Sequence, residues 1–535
     1  MQRLVFRTNA SSKTGIGHLY RCIQLAQEFK RRECTCIFVL DTVEDLILPY
    51  LQGFTYYSLY DTIPSDLNPT IDAEHFLHLC QDKLTPDFII LDDYRLGKSW
   101  EEAITSQGLK LCCIDDLKRE HTCDYLIDMS WNGPETLHTY DNLLPDHATK
   151  LLGPHYVILP DKFNRSHLQK NANRPFSILL SMGGGGDLNF LQLILNDLEN
   201  SEALADRTFH IFAVIGPLAK NKETFLQTIS SYENVSVIEG KTDLFEELHQ
   251  TDLFIGAAGG MIYQVKSLNI PALTFSIAES QNINRNHLED IGHYFHLNKW
   301  SKDDFTRIAP FVRHVMDQPE RFQALEESAI LPIDGQGCKR IANALLNKTT
   351  DLSNEKAFPK DPQEEKLSDE HSIRKATDCD LNHYLNSRNR DSNRTNMVQS
   401  ATISQLDHYG WWFSHKRDNF LLSKDDQPNL YIWHEKRTYQ EQDYLIGGWF
   451  VCTDDTNFQD ALLALTWQLD YCAKEHPNVP WVAVIQRDNK FVKLLNDYMG
   501  FIEIGPNHPF FEATGHFFNG ASPQDFYYVI KTEQG

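Results

Sequence analysis

The chain has 535 residues, too many for one hydrophobic core and enough for three domains. Its 50 Lys and Arg against 74 Asp and Glu give a formal net charge of −24, a field that repels nucleic-acid phosphates and anionic lipid surfaces, so neither is expected as a partner. No stretch approaches the roughly 18 apolar residues of a membrane span, no secretory pattern opens the chain, and the eleven cysteines contain no C-x-x-C pair, which leaves a zinc site without support and fits a reducing cytoplasm.

In chain order, LVF (Leu4 to Phe6), CIFVL (Cys36 to Leu40), FIILDD (Phe88 to Asp93) and LCCIDD (Leu111 to Asp116) are short apolar runs. Amphipathic stretches such as LYRCIQLAQEFKRR separate them, the pattern of parallel strands joined by crossover helices. Between the first run and the first helix lies GIGHLYRC, Gly15 to Cys22. Gly15 and Gly17 permit positive φ and close approach of a ligand to the backbone. His18 then has two readings: a base at a helix N-terminus that favours anions, or a helix-opening residue bonded to a carbonyl. Asp92, Asp93, Asp115 and Asp116 close two strands, where carboxylates touch ligands or cap the next helix. No third ligand at a telling spacing accompanies them, so no metal is expected.

A second series starts at FSILLSMGGGGD (Phe176 to Asp187) and continues through HIFAVIG, VSVIEG, LFIGAAGG and ALTFSI. Two glycine-rich loops, SMGGGGDLN and AAGGMIYQ, each follow an apolar strand and precede a helix, which suits either amides that hold a diphosphate or tight turns without a ligand. Neither is G-x-G-x-x-G, and no P-loop lysine follows. The expected architecture is α/β: a Rossmann-like domain over 1–160, a second over 161–346, a polar linker over 347–371 and an α+β domain over 372–535. Ligands of such sheets bind outside the carboxyl ends of the strands.

Residues 1–345 resemble the UDP-2,4-diacetamido-2,4,6-trideoxy-β-L-altropyranose hydrolase family of pseudaminic acid biosynthesis, in GIGHLYRC, ILDDYRLGKSWE, CIDDLKREHTCDYLIDM, LLGPHYVILP, ILLSMGGGGDLN, AAGGMIYQVKSLNIPAL, ESQN and DGQGCKRIANAL. The resemblance implies a GT-B-like pair of domains and release of UDP by water attack at the sugar C1, with C–O cleavage, inversion and no metal or cofactor. It puts the catalytic histidine at His18. Gly15, Gly17, Arg21, Asp93, Tyr94, Gly183, Gly184, Gly185, Ala258, Gly259, Gly260, Gln264, Gln281 and Asn282 become its UDP-sugar contacts. One departure is Gln264, where the family usually places a glutamate against the ribose; an amide accepts a hydrogen bond without the charge.

The tail resembles GNAT acyltransferases in RKATDCDLNHYLNSRNRDSNR, in the H-x-x-W element His408 to Trp411, and in WVAVIQRDNKFVKLLNDYMGF, with Asn489 and Tyr498 as further candidates. That likeness implies acetyl-CoA and N-acetylation of the 4-amino sugar precursor. The loop that would hold its pyrophosphate reads CTDDTNFQDALLAL, acidic and without glycine. Two competing readings stay open: a GT-B glycosyltransferase, and a non-catalytic nucleotide-sugar-binding scaffold with a degenerate tail. Nothing in the sequence fixes the oligomeric state.

Overall fold

The computed structural model describes residues 2–11, 15–64, 66–164, 174–183, 187–216, 219–241, 243–276, 287–298, 300, 302–347 and 364–532. The first apolar series forms a seven-stranded sheet: β1 (Arg3–Thr8), β2 (Thr35–Leu40), β3 (Thr55–Ser58), β4 (Phe88–Asp92), β5 (Leu111–Ile114), β6 (Tyr125–Asp128) and β7 (Thr149–Leu152). Their order is β3-β2-β1-β4-β5-β6-β7, and every pairing is parallel. The second series forms β8 (Phe176–Ser181), β9 (Phe209–Ile215), β10 (Val235–Glu239), β11 (Leu253–Ala257), β12 (Ala272–Phe275) and β13 (Phe295–Leu297). These lie in the order β10-β9-β8-β11-β12-β13, again all parallel. Two doubly wound, Rossmann-like sheets in tandem are the architecture that the alternation of strand and helix patterns requires. Strands β3, β6, β7 and β13, of three or four residues each, are not among the apolar runs read from the sequence.

Both sheets belong to one compact unit. The helix Gly337–Leu345 follows the second sheet in sequence but buries Cys338, Ile341, Ala342 and Leu345 in the core beneath the first, with Leu19, Cys22 and Phe29. Gly337 is required there, because a Cβ would come within 2.1 Å of the Val157 carbonyl.

The mixed sheet forms the other compact unit, together with residues 201–204 and 302–318, which the sequence reading assigned to the second Rossmann-like domain. The helix Ile308–Asp317 lies against the helix Gln405–Ser414, with Phe311 6.2 Å from the Tyr409 ring and Arg307 3.0 Å from Asp407. The sheet comprises β14 (Glu365–Lys366), β15 (His371–Lys375), β16 (Asp418–Lys424), β17 (Gln427–Tyr439), β18 (Gln442–Val451), β19 (Trp481–Gln486), β20 (Ile502–Glu503) and β21 (Phe526–Lys531). β14 and the first residue of β15 fall inside the stretch expected to be linker. Its order is β14-β15-β16-β17-β18-β19-β21-β20, antiparallel except between β18 and β19, which pair in parallel only at Leu445 and Trp481.

Two buried histidines mark the core of this unit. His408 sits on the helix Gln405–Ser414, 2% exposed, with Nε2 2.8 Å from the Leu381 carbonyl. His434 on β17 is 1% exposed and stacks on Phe420, and neither ring nitrogen has a partner among the described residues. Burial lowers both pKa values from 6.5 to about 4.

Two expectations follow from this packing. Gly256 on β11 faces the Ser181 carbonyl so closely that a Cβ would lie 1.9 Å from it. Gly256→Ala must separate β8 from β11 and destabilise the parallel-sheet unit by about 2 kcal/mol or more in calorimetric unfolding. In the mixed-sheet unit the folded histidines bind protons less readily than the unfolded chain. Stability is therefore complete above pH 6.5 and falls as the pH drops from there toward 4, by about 3 kcal/mol per histidine. Acid titration followed by near-UV circular dichroism reads this loss, and His434→Phe should remove part of it.

Candidate functional site

The first sheet reverses its winding between β1 and β4, and Thr8 at the end of β1 lies in register with Asp92 at the end of β4. Chains leaving such neighbours depart in opposite directions and open a crevice at the carboxyl edge. After β1 the backbones of Ser11 and Gly15 bond to each other, Gly15 N donating to Ser11 O at 2.9 Å. Gly15 adopts φ +77°, a conformation that glycine supplies without strain. The helix Gly17–Arg31 starts two residues on and carries His18 and Arg21 on one face. A Cβ at Gly15 or Gly17 would meet nothing within 4 Å, so the backbone there is open to a ligand.

Alternation along the strands decides which carboxylate His18 meets. Leu4, Phe6 and Ile90 share a core with Leu19, Cys22 and Ile23 of this helix, whereas Val5, Ile89 and Leu91 face the other side. Asp92 continues the even-numbered face toward the helix, and Asp93 continues the odd one. His18 Nδ1 lies 2.6 Å from Asp92 Oδ1, and Arg21 Nε donates to Asp92 Oδ2 at 2.5 Å. The Cys22 thiol donates to the same oxygen at 3.4 Å. The Tyr94 ring stands edge-on to the imidazole, with centroids 4.6 Å apart, and the Arg21 guanidinium lies 5.8 Å from the Tyr94 centroid.

Burial of Asp92, whose side chain is fully covered, would raise its pKa. The charge of Arg21 and the hydrogen bonds from Arg21 and His18 overcome that and hold it below the ordinary carboxylate value. An ionised carboxylate only accepts, so Nδ1 of His18 donates to Asp92, and in the neutral ring Nε2 is the nitrogen with the lone pair. The imidazole side chain is 20% exposed, enough to meet a solvent molecule while its far edge is fixed. This is a base with an orienting partner.

Asp93, expected at the ligand, is instead committed to the opposite face. Arg95 donates to its two oxygens at 2.9 and 2.5 Å, and fully buried Arg7 adds a second positive charge. Sequence reasoning noted Asp92 but did not pair it with His18; the parity of the β1 and β4 residues is the signal that finds it. Asn9, also unnoticed, sits 6% exposed just past the end of β1, with no partner for Oδ1 among the described residues.

In the second sheet the winding reverses between β8 and β11, where Ser181 is in register with Gly256. The two glycine-rich loops therefore leave adjacent strands. Gly183 has φ +78° and open space where a Cβ would be. Gly184, Gly185, Gln281 and Asn282 lie outside the described residues. In the other loop the amides of Ala258 and Gly259 already donate, to Phe275 O at 3.1 Å and Ala257 O at 2.9 Å, so these two are not the spare donors the sequence suggested. The ladder of the helix Met261–Ser267 begins at Ile262, which donates to Gly259 O, so the amides preceding it are Gly260 and Met261. Gln264 lies half-buried on this helix.

Glu101, Cys113 and His121 bring potential metal ligands within 4.8 Å of one another. Their bonding favours an ion pair. Glu101 accepts from the Thr122 amide at 2.6 Å and lies 2.7 Å from His121 Nδ1. Although burial opposes the charge, Asp115 and Glu101 carry the His121 pKa up to about 9, and a protonated imidazole does not ligate. Asp115 in turn holds Arg119, which donates to the Tyr94 and Leu96 carbonyls at 2.7 and 3.1 Å and so braces the loop behind His18.

The tail candidates have structural partners. His408 is sealed against the Leu381 carbonyl, Trp411 stacks on His415 at 4.2 Å, and Asn489 caps the helix Lys490–Tyr498 through Val492 N at 3.1 Å. Tyr498 is 74% exposed on that helix. At the helix Phe458–Glu475, the place of a pyrophosphate in the resemblance to GNAT proteins, Asn457 accepts from Gln459 N and Asp460 N while buried Asp460 accepts from Asn457 N. The helix dipole is thus answered by the chain's own carboxylate, and these residues do not fit acetyl-CoA held by amides there.

No family model matches the chain. Among described residues no helix is long and apolar enough to cross a membrane. Over 487 residues the chain is 23% identical to an uncharacterized protein of Methanocaldococcus jannaschii, a match covering 87% of this chain and 90% of the other. A UDP-GlcNAc 2-epimerase structure from Neisseria meningitidis, bound to UDP-GlcNAc, aligns with 65% of this chain and 100% of its own at a TM-score of 0.45 and 13% identity. Over 207 residues, 38% of this chain and 69% of the relative, the chain is 24% identical to the UDP-2,4-diacetamido-2,4,6-trideoxy-β-L-altropyranose hydrolase of Campylobacter jejuni.

Proposed function

We propose that the protein is a UDP-sugar hydrolase acting on a UDP-2,4-diacetamido-2,4,6-trideoxyhexose, in pseudaminic or related nonulosonic acid biosynthesis. The His18–Asp92 pair carries this reading, and the similarity to the Campylobacter jejuni hydrolase supports the substrate class. Asp92 keeps the proton on Nδ1, so Nε2 takes a proton from water as the oxygen attacks the anomeric carbon. The C1–O bond breaks, its electron pair leaves with UDP, and the configuration inverts. Arg21 locks the carboxylate, and Tyr94 limits the swing of the imidazole. The amides of Gly260 and Met261, with the open space at Gly183, are assigned to the diphosphate, whose growing negative charge backbone donors stabilise. No metal or cofactor takes part in the step.

The tail is read as a GNAT-shaped module, supported by the single parallel contact between β18 and β19 within an otherwise antiparallel sheet. No acyl-transfer step is assigned to it, because Asn457 and Asp460 occupy the helix end that the cofactor would need.

Incubation with the UDP-sugar alone in H2(18)O separates hydrolysis from glycosyl transfer. The expected result is UDP release without an acceptor and (18)O at the sugar C1 hydroxyl, not in UDP. His18→Ala should lower kcat by about 10²- to 10⁴-fold with little change in KM, the range for losing a general base. Asp92→Asn should lower kcat by about 10²-fold or more by releasing the tautomer. A protein that releases no UDP until an acceptor is added is a transferase, and one whose UDP affinity and turnover ignore His18→Ala is not using this site.

A further inference from the structure

Two arginines of the mixed-sheet unit meet one carboxylate, and a third lies near one of them. Arg437 Nη2 donates to Glu435 Oε2 at 3.0 Å, and Arg417 Nε lies 3.6 Å from the same oxygen. Arg388 lies close enough to Arg417 for the two charges to interact, and both interact with Tyr384. In a chain of net charge −24, Arg388 and Arg417 bring two positive charges near each other.

Arg388 is the informative member. Its Nη2 donates to the Gln399 carbonyl at 2.8 Å, but buried Nη1 has no hydrogen-bond partner among the described residues. Burial and the neighbouring Arg417 lower its pKa, against the opposing effect of Tyr384. A guanidinium N–H withdrawn from water without an acceptor is costly, and such groups mark places where an acceptor arrives from outside.

Aromatic surfaces flank the charges. The Arg417 guanidinium lies 3.8 Å from the Trp433 centroid and 5.4 Å from that of Trp411. Trp411 in turn stacks against Tyr384 at 5.8 Å. Opposite Trp433 on β18 is Gly448, where a Cβ would come within 3.4 Å of Trp433 Nε1. Trp411, Trp433, Arg388 and Arg417 all remain partly exposed.

We infer that Arg388 and Arg417 form a binding site for the oxyanion, carboxylate or phosphate, of a small molecule. The guanidinium edges supply charge-assisted donors to the oxyanion. This site belongs to the mixed-sheet unit, whereas the hydrolytic one belongs to the parallel-sheet unit.

The test uses the full-length protein and three related sugars, glucuronate, glucose 6-phosphate and glucose, with tryptophan fluorescence and calorimetry as readouts. Glucuronate or glucose 6-phosphate should bind at millimolar concentration or better, and glucose should not. Preference between the two charged sugars identifies the oxyanion. Arg388→Gln and, separately, Arg417→Gln should each weaken that binding at least about tenfold. Either variant suffices if the other fails to fold, and circular dichroism reports which one keeps its sheet. Absence of binding by both charged sugars, equal binding of glucose, or unchanged affinity in a folded variant would overturn the assignment.

Discussion

The ionised carboxylate of Asp92 is the constraint on which the site depends. A fully buried carboxylate is unfavourable unless its charge is answered, and Arg21 answers it from the same helix face that carries His18. That one ion pair fixes three things: the charge of Asp92, the rotamer of Arg21 and the ring nitrogen of His18 that bears the proton. Remove the guanidinium and the carboxylate tends toward protonation; the orienting hydrogen bond then loses its direction. The fold supplies the pair through elementary geometry. A strand end in register with its neighbour, a helix that begins at a glycine and a spacing of three residues bring the groups together without a long loop.

A second tier of buried charge keeps this arrangement rigid. Arg7, with no exposed surface, is held by Asp72 and Asp41 on the other face of the sheet, and Trp100 Nε1 donates to the same Asp72. Asp93 and Arg95 extend this network up to the loop that carries Tyr94. From the next strand Arg119 clamps that loop by its carbonyls. Breaking such a network strands an uncompensated charge, so its members specify one loop conformation.

Much of this was legible in the residues, and the gaps have identifiable causes. The apolar runs predicted the long strands because buried parallel strands need consecutive apolar residues. His18 was singled out from its glycines, yet spacing alone left it undecided between base and helix-opening residue. Its partner is 74 residues away, and only the pairing of β1 with β4 brings Asp92 to it. The family resemblance implies Asp93 and not Asp92 as a contact, whereas strand parity turns Asp93 away from His18 toward Arg95. The helix Ile308–Asp317 reads as part of the second Rossmann-like domain in sequence, but its apolar face, with Phe311 and Val312, is claimed by the tail unit. In the tail, His408 and Asn489 match a pattern whose residues here serve packing and capping, and the arginines near Glu435 and Tyr384 escape a sequence reading because they lie far apart in the chain.

The most direct measurement of the central claim is the (15)N chemical shift of the two His18 ring nitrogens in labelled protein, at a pH where the imidazole is neutral. A protonated, pyrrole-like Nδ1 and a pyridine-like Nε2 are expected, with the pattern lost in Asp92→Asn. A proton resident on Nε2, or shifts indifferent to the Asp92 substitution, would contradict the account.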